Sequence, residues 1–212
     1  MASLHKAKEV LYQHLQSIIS DWRVLHAFLQ VPREAFVPQA LRDSSYADIP
    51  LPIPGGQTIS QPTTVLLMTE FLQVAPGQKI LEIGTGSGYQ AAILSVLVSE
   101  TGKVITTEII DALYTYGKEQ LQPYTNVQVL QIDGSEGYAP EAPYDRIIMT
   151  AASPKPPLHL LSQLKKYGLL LAPVGEPNHQ RMLRIDKQGT VEDLGGFVFV
   201  PLTGKYGFQR ES

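Results

Sequence analysis

The feature that most restricts how this 212-residue chain can fold is the run Leu81-Glu82-Ile83-Gly84-Thr85-Gly86-Ser87-Gly88-Tyr89. A short apolar β run passes there through three alternating glycines into a helix-forming stretch. Without a Cβ, Gly84, Gly86 and Gly88 let the chain turn tightly and let a ligand come close to its backbone. The flanking pattern repeats the same unit. Lys79–Ile83, Lys103–Glu108, Val127–Gln131 and residues 146–149 read as strands, with helices over Tyr89–Val98, from Asp111 onward and over residues 158–164, and a buried strand over 169–173. Strands alternating with helices predict an α/β fold, a doubly wound and mostly parallel sheet of the Rossmann-like type. Beyond Gly175, strand-like runs at 181–186 and 197–200 have no helix between them, which predicts an antiparallel C-terminal edge.

Ahead of this unit, Leu4, Ala7, Leu11, Leu15, Ile18 and Ile19, then Trp22, Leu25 and Leu29, recur at helical spacing. Ser20 and Asp21 form an N-cap pair that divides two short N-terminal helices. Residues 31–62 contain Pro32, Pro38, Pro50, Pro52, Pro54 and Pro62 with Gly55 and Gly56. Such a segment is neither regular helix nor central strand, and long ordered loops often carry function. Pro62 suits the first position of a helix that runs to Leu72. The expected organisation is one domain over 1–212: an appendage of helices and loop over 1–62, a ligand-binding core over 63–175 and C-terminal strands over 176–212.

Composition excludes several classes of function. With 17 basic and 20 acidic residues, a net charge of -3 and no Lys/Arg tract, the chain is not expected to bind nucleic acid. There is no cysteine, hence no thiolate metal site and no thiol nucleophile. His5, His14, His26, His159 and His179 lack ligand spacing, so no metal is expected and these are read as surface or packing residues. No segment approaches the roughly 20 apolar residues that span a bilayer. The expectation is a monomeric cytoplasmic protein with no membrane association.

The spacing of the glycines chooses between ligands. Dinucleotide sites read G-x-G-x-x-G, whereas this chain has G-x-G-x-G preceded by Glu82. A carboxylate there faces a pyrophosphate poorly and suits a ligand carrying an ammonium and a sulfonium, which favours S-adenosylmethionine. Glu108, 20 residues after Gly88, closes the second strand where an acid accepts hydrogen bonds from ribose hydroxyls. Asp133 ends the third strand, next to Gly134, and is placed to take an adenine amino group. The expected cofactor contacts are therefore Glu82, Gly84, Thr85, Gly86, Ser87, Gly88, Glu108, Ile109, Asp133 and Gly134.

Several further strings carry a family resemblance: Val31-Pro32-Arg33-Glu34-Ala35-Phe36-Val37, Tyr46-Ala47-Asp48-Ile49-Pro50-Leu51-Pro52-Ile53, and Gly56-Gln57-Thr58-Ile59-Ser60-Gln61-Pro62. Tyr144-Asp145-Arg146-Ile147-Ile148, Leu171-Ala172-Pro173-Val174-Gly175 and Phe199-Val200-Pro201-Leu202-Thr203 follow in order. Together they resemble the protein-L-isoaspartate O-methyltransferase family over most of the chain. The glycine turn is shared by many methyltransferases, and the string from Gln57 to Pro62 is the specific part. The resemblance implies methyl transfer from S-adenosyl-L-methionine, leaving S-adenosyl-L-homocysteine, to the free carboxylate of L-isoaspartyl residues in damaged proteins and peptides. It implies that the ester leads on to a succinimide and so to repair. It also implies Ser60 as the active-site hydroxyl, with Gln57, Thr58 and Ile59 in the covering loop, all four against the cofactor, and Thr203 and Val200 along a peptide groove. Tyr167-Gly168, Ile132 and Pro54-Gly55 depart from the family pattern, at turns.

Two residues have a second reading. Ser60 also suits the N-cap of the helix beginning at Pro62. Arg33 suits either a substrate carboxylate or a structural ion pair. Two other functions share the glycine turn: a methyltransferase for nucleic acids or small molecules, and a noncatalytic module that binds S-adenosylmethionine. Against the first, Thr150-Ala151-Ala152-Ser153-Pro154 lacks the Asp/Asn-Pro-Pro-aromatic string of amino-methylating enzymes. Against the second, both the loop and the turn are intact.

Overall fold

The computed structural model describes residues 2–208. In chain order the elements are α1 (Ala2–Gln16), α2 (Trp22–Gln30), β1 (Leu51–Ile53), β2 (Gln57–Ile59), α3 (Pro62–Leu72), β3 (Lys79–Ile83), α4 (Tyr89–Val98), β4 (Lys103–Glu108), α5 (Asp111–Gln120), β5 (Val127–Gln131), β6 (Tyr144–Met149), β7 (Leu164–Glu176), β8 (His179–Asp186) and β9 (Val191–Phe197).

Seven strands form one sheet in the order β5-β4-β3-β6-β7-β8-β9. The pairs from β5 to β7 are parallel, and β7-β8-β9 are antiparallel. The expected α/β sheet with an antiparallel edge is thus present. Its central strands are apolar on both faces because both faces are covered. Successive β3 residues divide between two cores: Ile80 packs with Val104, Ile148 and Leu171 beneath α2, α3 and α4, while Leu81 and Ile83 pack with Ile105, Ile147 and Leu170. Registers Leu81↔Ile105 and Leu81↔Ile147 keep like faces together. The crossover helices bring β3, β4 and β5 to a common carboxyl end, where open α/β sheets bind ligands.

The proline-rich stretch folds into 3-10 turns at Arg33–Phe36 and Gln39–Ser44 and a small antiparallel hairpin, β1-β2, with Leu51 opposite Ile59. Pro62 opens α3 as expected. Three local readings are corrected. Asp21 alone caps α2, accepting from the Arg23 N–H at 2.9 Å, whereas the Ser20 N–H donates to Glu70. The helix expected at 158–164 is a 3-10 helix, Leu158–Gln163, entered directly from Pro156-Pro157. The last strand is β9 at Val191–Phe197, not 197–200. Its first three residues, Val191, Glu192 and Asp193, lie exposed on an edge, so no apolar alternation marks it. Residues 200–202 instead pair with Ala152: its N–H donates to the Val200 carbonyl and its carbonyl accepts from the Leu202 N–H, both at 2.8 Å.

Candidate active site

At the carboxyl end of β3 the Gly84 and Thr85 N–H groups both donate to the Thr107 carbonyl, at 2.9 and 3.0 Å, and fold the turn back against β4. Gly84 has φ +102, and a Cβ there would run into the Thr150 hydroxyl, so only glycine closes the turn. Beyond it α4 starts at Tyr89, its first N–H held by the Ser87 hydroxyl at 3.2 Å. The amino-terminal turn of this helix faces a cavity with about 900 Å³ of empty space, counting its open mouth.

The cavity wall collects residues from five distant parts of the chain. Gln57, Thr58, Ile59 and Ser60 come from β2 and the link to α3, and Gly84, Thr85, Gly86 and Ser87 from the glycine turn. Glu108 and Ile109 come from the end of β4 and Gly134 from the end of β5, while Val200 and Thr203 close the far side. Of the residues picked out from the sequence, Glu82, Gly88 and Asp133 are not on this wall. The wall also has residues the sequence reading did not select, among them Met68, Tyr89, Gln90, Leu113 and Thr150. Apart from Tyr89 and Gln90, which sit at the start of α4, nothing in their local sequence marks them. They are brought in by packing.

Glu108 is buried, and its carboxylate is the polar centre of the turn. One oxygen accepts from the Gly86 N–H at 3.0 Å, and the other from the Ile109 and Ile110 N–H groups, both at 2.9 Å. An ionised carboxylate has about four lone-pair sites, so it keeps acceptor capacity beyond these three bonds. Asp133 works differently. Its oxygens accept from the Ser135 N–H at 2.9 Å and the Lys205 N–H at 2.8 Å, pinning the segment after Thr203 to the end of β5. Burial works to raise the Asp133 carboxyl, but these N–H donors outweigh it and hold the group below its ordinary range. His159 packs here, stacked on Tyr206 at 3.9 Å and bonded to the Ser135 carbonyl at 2.8 Å.

Glu82 is fully buried, on the β3 face that packs beneath α4. Neither of its oxygens has a hydrogen-bonding partner. Burial pushes its carboxyl up to about 8, with the Thr106 hydroxyl working against this and Glu108 adding to it. That Thr106 hydroxyl is itself engaged with the Thr85 hydroxyl at 2.8 Å. Burial beneath the turn thus favours the protonated form of Glu82.

Ser60 lines the cavity, and it does not cap α3. The residue preceding Pro62 makes no side-chain cap, and the first turn is held from elsewhere, by Asp48. Among the described residues Arg33 makes no ion pair and is not on the cavity wall: all its hydrogen bonds run to main-chain carbonyls, those of Ser45, Ile49 and Ser60. Among the described residues no group of three or more His, Asp or Glu side chains could hold a metal ion, and no helix is long and apolar enough to cross a membrane.

Comparison with known proteins bears on this geometry. Residues 5–207 match the family model described as protein-L-isoaspartate(D-aspartate) O-methyltransferase. A protein-L-isoaspartate O-methyltransferase of Methanopyrus kandleri is 47% identical, over 97% of this chain and 95% of its own length. Its counterpart in Methanosarcina mazei is 44% identical, over 97% and 86%. A solved structure titled protein-L-isoaspartate O-methyltransferase superposes with a TM-score of 0.81 at 29% identity, covering 94% of this chain and 67% of that one. A Plasmodium falciparum structure, titled as a putative enzyme of the same name in complex with S-adenosyl-L-homocysteine, has the same fold, with a TM-score of 0.81 at 24% identity, over 92% of this chain and 97% of that one. With a family match spanning nearly its whole length and relatives aligned from end to end, this chain belongs to the protein-L-isoaspartate(D-aspartate) O-methyltransferase family.

Proposed function

We propose that the cavity binds S-adenosylmethionine along the glycine turn and that Ser60 holds the carboxylate to be methylated. The observation that carries this reading is the meeting of the Gln57 to Ser60 loop with the glycine turn and Glu108 on one wall. The residues fit the cofactor. The Gly84 and Gly134 main chains form part of the wall, and packing requires glycine at both, because a Cβ would strike Thr150 and Thr107 respectively. Glu108 retains acceptor capacity for the ribose hydroxyls, and Ile109, 40% exposed, offers an apolar edge. When bound, the cofactor supplies an electrophilic methyl group on a sulfonium.

The chemistry asks the protein for position more than for acid or base. An isoaspartyl carboxylate has a pKa near 4 and is already ionised at neutral pH. Its oxygen forms the new C–O bond as the methyl–sulfur bond breaks, and no proton moves. Aligning such reactants can supply about 7 to 11 kcal/mol of the barrier. In this reading the Ser60 hydroxyl donates one hydrogen bond to the carboxylate, and Gln57, Thr58 and Ile59 shield the site from water. The peptide runs past Val200 and Thr203, in a segment tied to Ala152 through the Val200 carbonyl and the Leu202 N–H. Glu82 acts beneath the turn and not as the direct partner of the ammonium. We further propose that the chain acts as a monomeric, cytoplasmic enzyme on isoaspartyl proteins and peptides, needs no metal and does not act on nucleic acid.

Labelled methyl transfer to an isoaspartyl peptide, its aspartyl counterpart and tRNA, each with and without chelator, tests the reading. The expected result is base-labile label on the isoaspartyl peptide alone, unaffected by chelator. Label on tRNA, or activity abolished by chelator, would overturn it.

A further inference from the structure

Arg33 is fully buried in a chain whose ion pairs otherwise lie at the surface or half-buried. Burial disfavours its charge and pulls its pKa down, and the neighbouring Asp48 acts in the opposite direction without bonding to it. Such a group is expensive to bury unless its donors are satisfied, and here carbonyl oxygens take up donors of its two terminal nitrogens. One terminal nitrogen donates to the Ser45 carbonyl. The other donates to the Ser60 carbonyl at 3.0 Å and, more loosely, to the Ile49 carbonyl at 3.3 Å. Its Nε has no partner. The guanidinium also lies 6.0 Å from the centre of the Tyr89 ring, itself part of the cavity wall.

Thus one side chain ties two structures that face the cavity, the Ser60 main chain and the first residue of α4, to the loop that precedes the hairpin. Ser60 stands between the end of β2 and the proline that opens α3, with no cap of its own to fix it. Holding its carbonyl restrains its backbone torsion, and with it the Cα–Cβ direction from which the hydroxyl projects. We propose that Arg33 is a positioning residue for methyl transfer, orienting Ser60 against the cofactor through the Ser60 carbonyl. This rests on the reading of Ser60 given above. A planar fork serves here because it can reach several carbonyls at once from one buried point. A lysine ammonium keeps the charge but not that geometry. Displacements of about 1 Å in such a site can lower rates about 100-fold.

The test is a double-mutant cycle in the full-length chain with Arg33→Lys, Ser60→Ala and the pair, and Arg33→Gln as a second replacement. For each, kcat at saturating isoaspartyl peptide is measured beside the calorimetric affinity for S-adenosylhomocysteine and the unfolding midpoint. The expected result is a folded Arg33→Lys chain whose kcat falls about 10- to 100-fold while cofactor-product affinity stays within about threefold. The double variant should be no slower than Ser60→Ala, because both changes remove the same interaction. Arg33→Lys with undiminished kcat, losses that simply multiply in the pair, or failure of both Arg33 variants to fold would overturn the proposal. Full activity of Ser60→Ala would sink the reading of Ser60 itself, and it shows in that single variant alone.

Discussion

The Asp48 carboxylate grips Thr63 twice, one oxygen accepting its N–H at 2.9 Å and the other its hydroxyl at 2.7 Å. This contact, made across 15 residues of sequence, supplies the cap that α3 lacks locally and leaves the Ser60 hydroxyl free of that duty. The two residues therefore separate stability from chemistry. Asp48→Ala is expected to cost about 0.5 to 2 kcal/mol of stability. Ser60→Ala is expected to leave the denaturant midpoint nearly unchanged while lowering kcat at least about tenfold, as losing a group that positions a reactant does. Urea titrations and initial rates on the same two preparations check this. A clear loss of stability in Ser60→Ala would return the hydroxyl to a structural role.

For Glu108 the structure adds a second consequence to loss of cofactor affinity. Its carboxylate accepts from the N–H groups of Gly86, Ile109 and Ile110, so Glu108→Ala leaves three donors without their partner. A ribose contact acts about equally in ground and transition states, so KM for S-adenosylmethionine should rise more than kcat falls. Stability should drop by about 1 to 3 kcal/mol, the usual penalty of an unsatisfied buried group. Both are measurable in a chain that still folds at 25 °C. A fall in kcat at constant KM would place Glu108 in the reaction instead.

Glu82 predicts a pH dependence of stability. Its folded-state pKa, about 8, lies above the ordinary value of 4.5, so between these the folded state holds a proton that the unfolded chain has released. For such a group stability is fully present below the lower value and is lost as pH rises through the upper one. Glu82→Gln cannot ionise and lacks this slope. Its stability relative to the parent should therefore grow by up to about 1.4 kcal/mol per pH unit between roughly pH 5 and 8. Urea unfolding of both chains at several pH values decides. A constant difference would mean that Glu82 is ionised throughout.

Gly134 tests how closely the end of β5 packs on β4. A Cβ at this position would overlap the Thr107 hydroxyl and press on the side chain of Ile83 at 3.2 Å. Gly134→Ala should destabilise the chain by about 1 to 3 kcal/mol, the range for overpacking. Adding Thr107→Ala makes room and should recover part of that loss, although Thr107 also gives up its hydrogen bond to the Glu82 carbonyl. Melting temperatures of the two singles and the double settle it, and a double variant with strictly additive losses would refute the clash.

Much of this was legible in the sequence because it is local or periodic. Lys79–Ile83, Tyr89–Val98, Lys103–Glu108 and Val127–Gln131 have the same bounds in the structure as in the pattern, since short apolar runs bounded by turn residues announce themselves by composition and length. The glycine turn and Glu108 follow from chain order in a doubly wound sheet, which brings successive strand ends together. Other features were decided by partners far away in the chain. Asp133 reads only as an acid at a strand end, placed for an adenine amino group, and its bond to the Lys205 N–H, 72 residues on, appears only in the folded chain. Arg33 reads as an ion-pair residue until the carbonyls of Ser45, Ile49 and Ser60 converge on it. A side chain's local spacing gives its direction only within one strand or helix, whereas hydrogen bonds across loops depend on where tertiary packing leaves each main-chain group. The same reason hid β9, whose pairing with β8 and not its own apolarity makes it a strand.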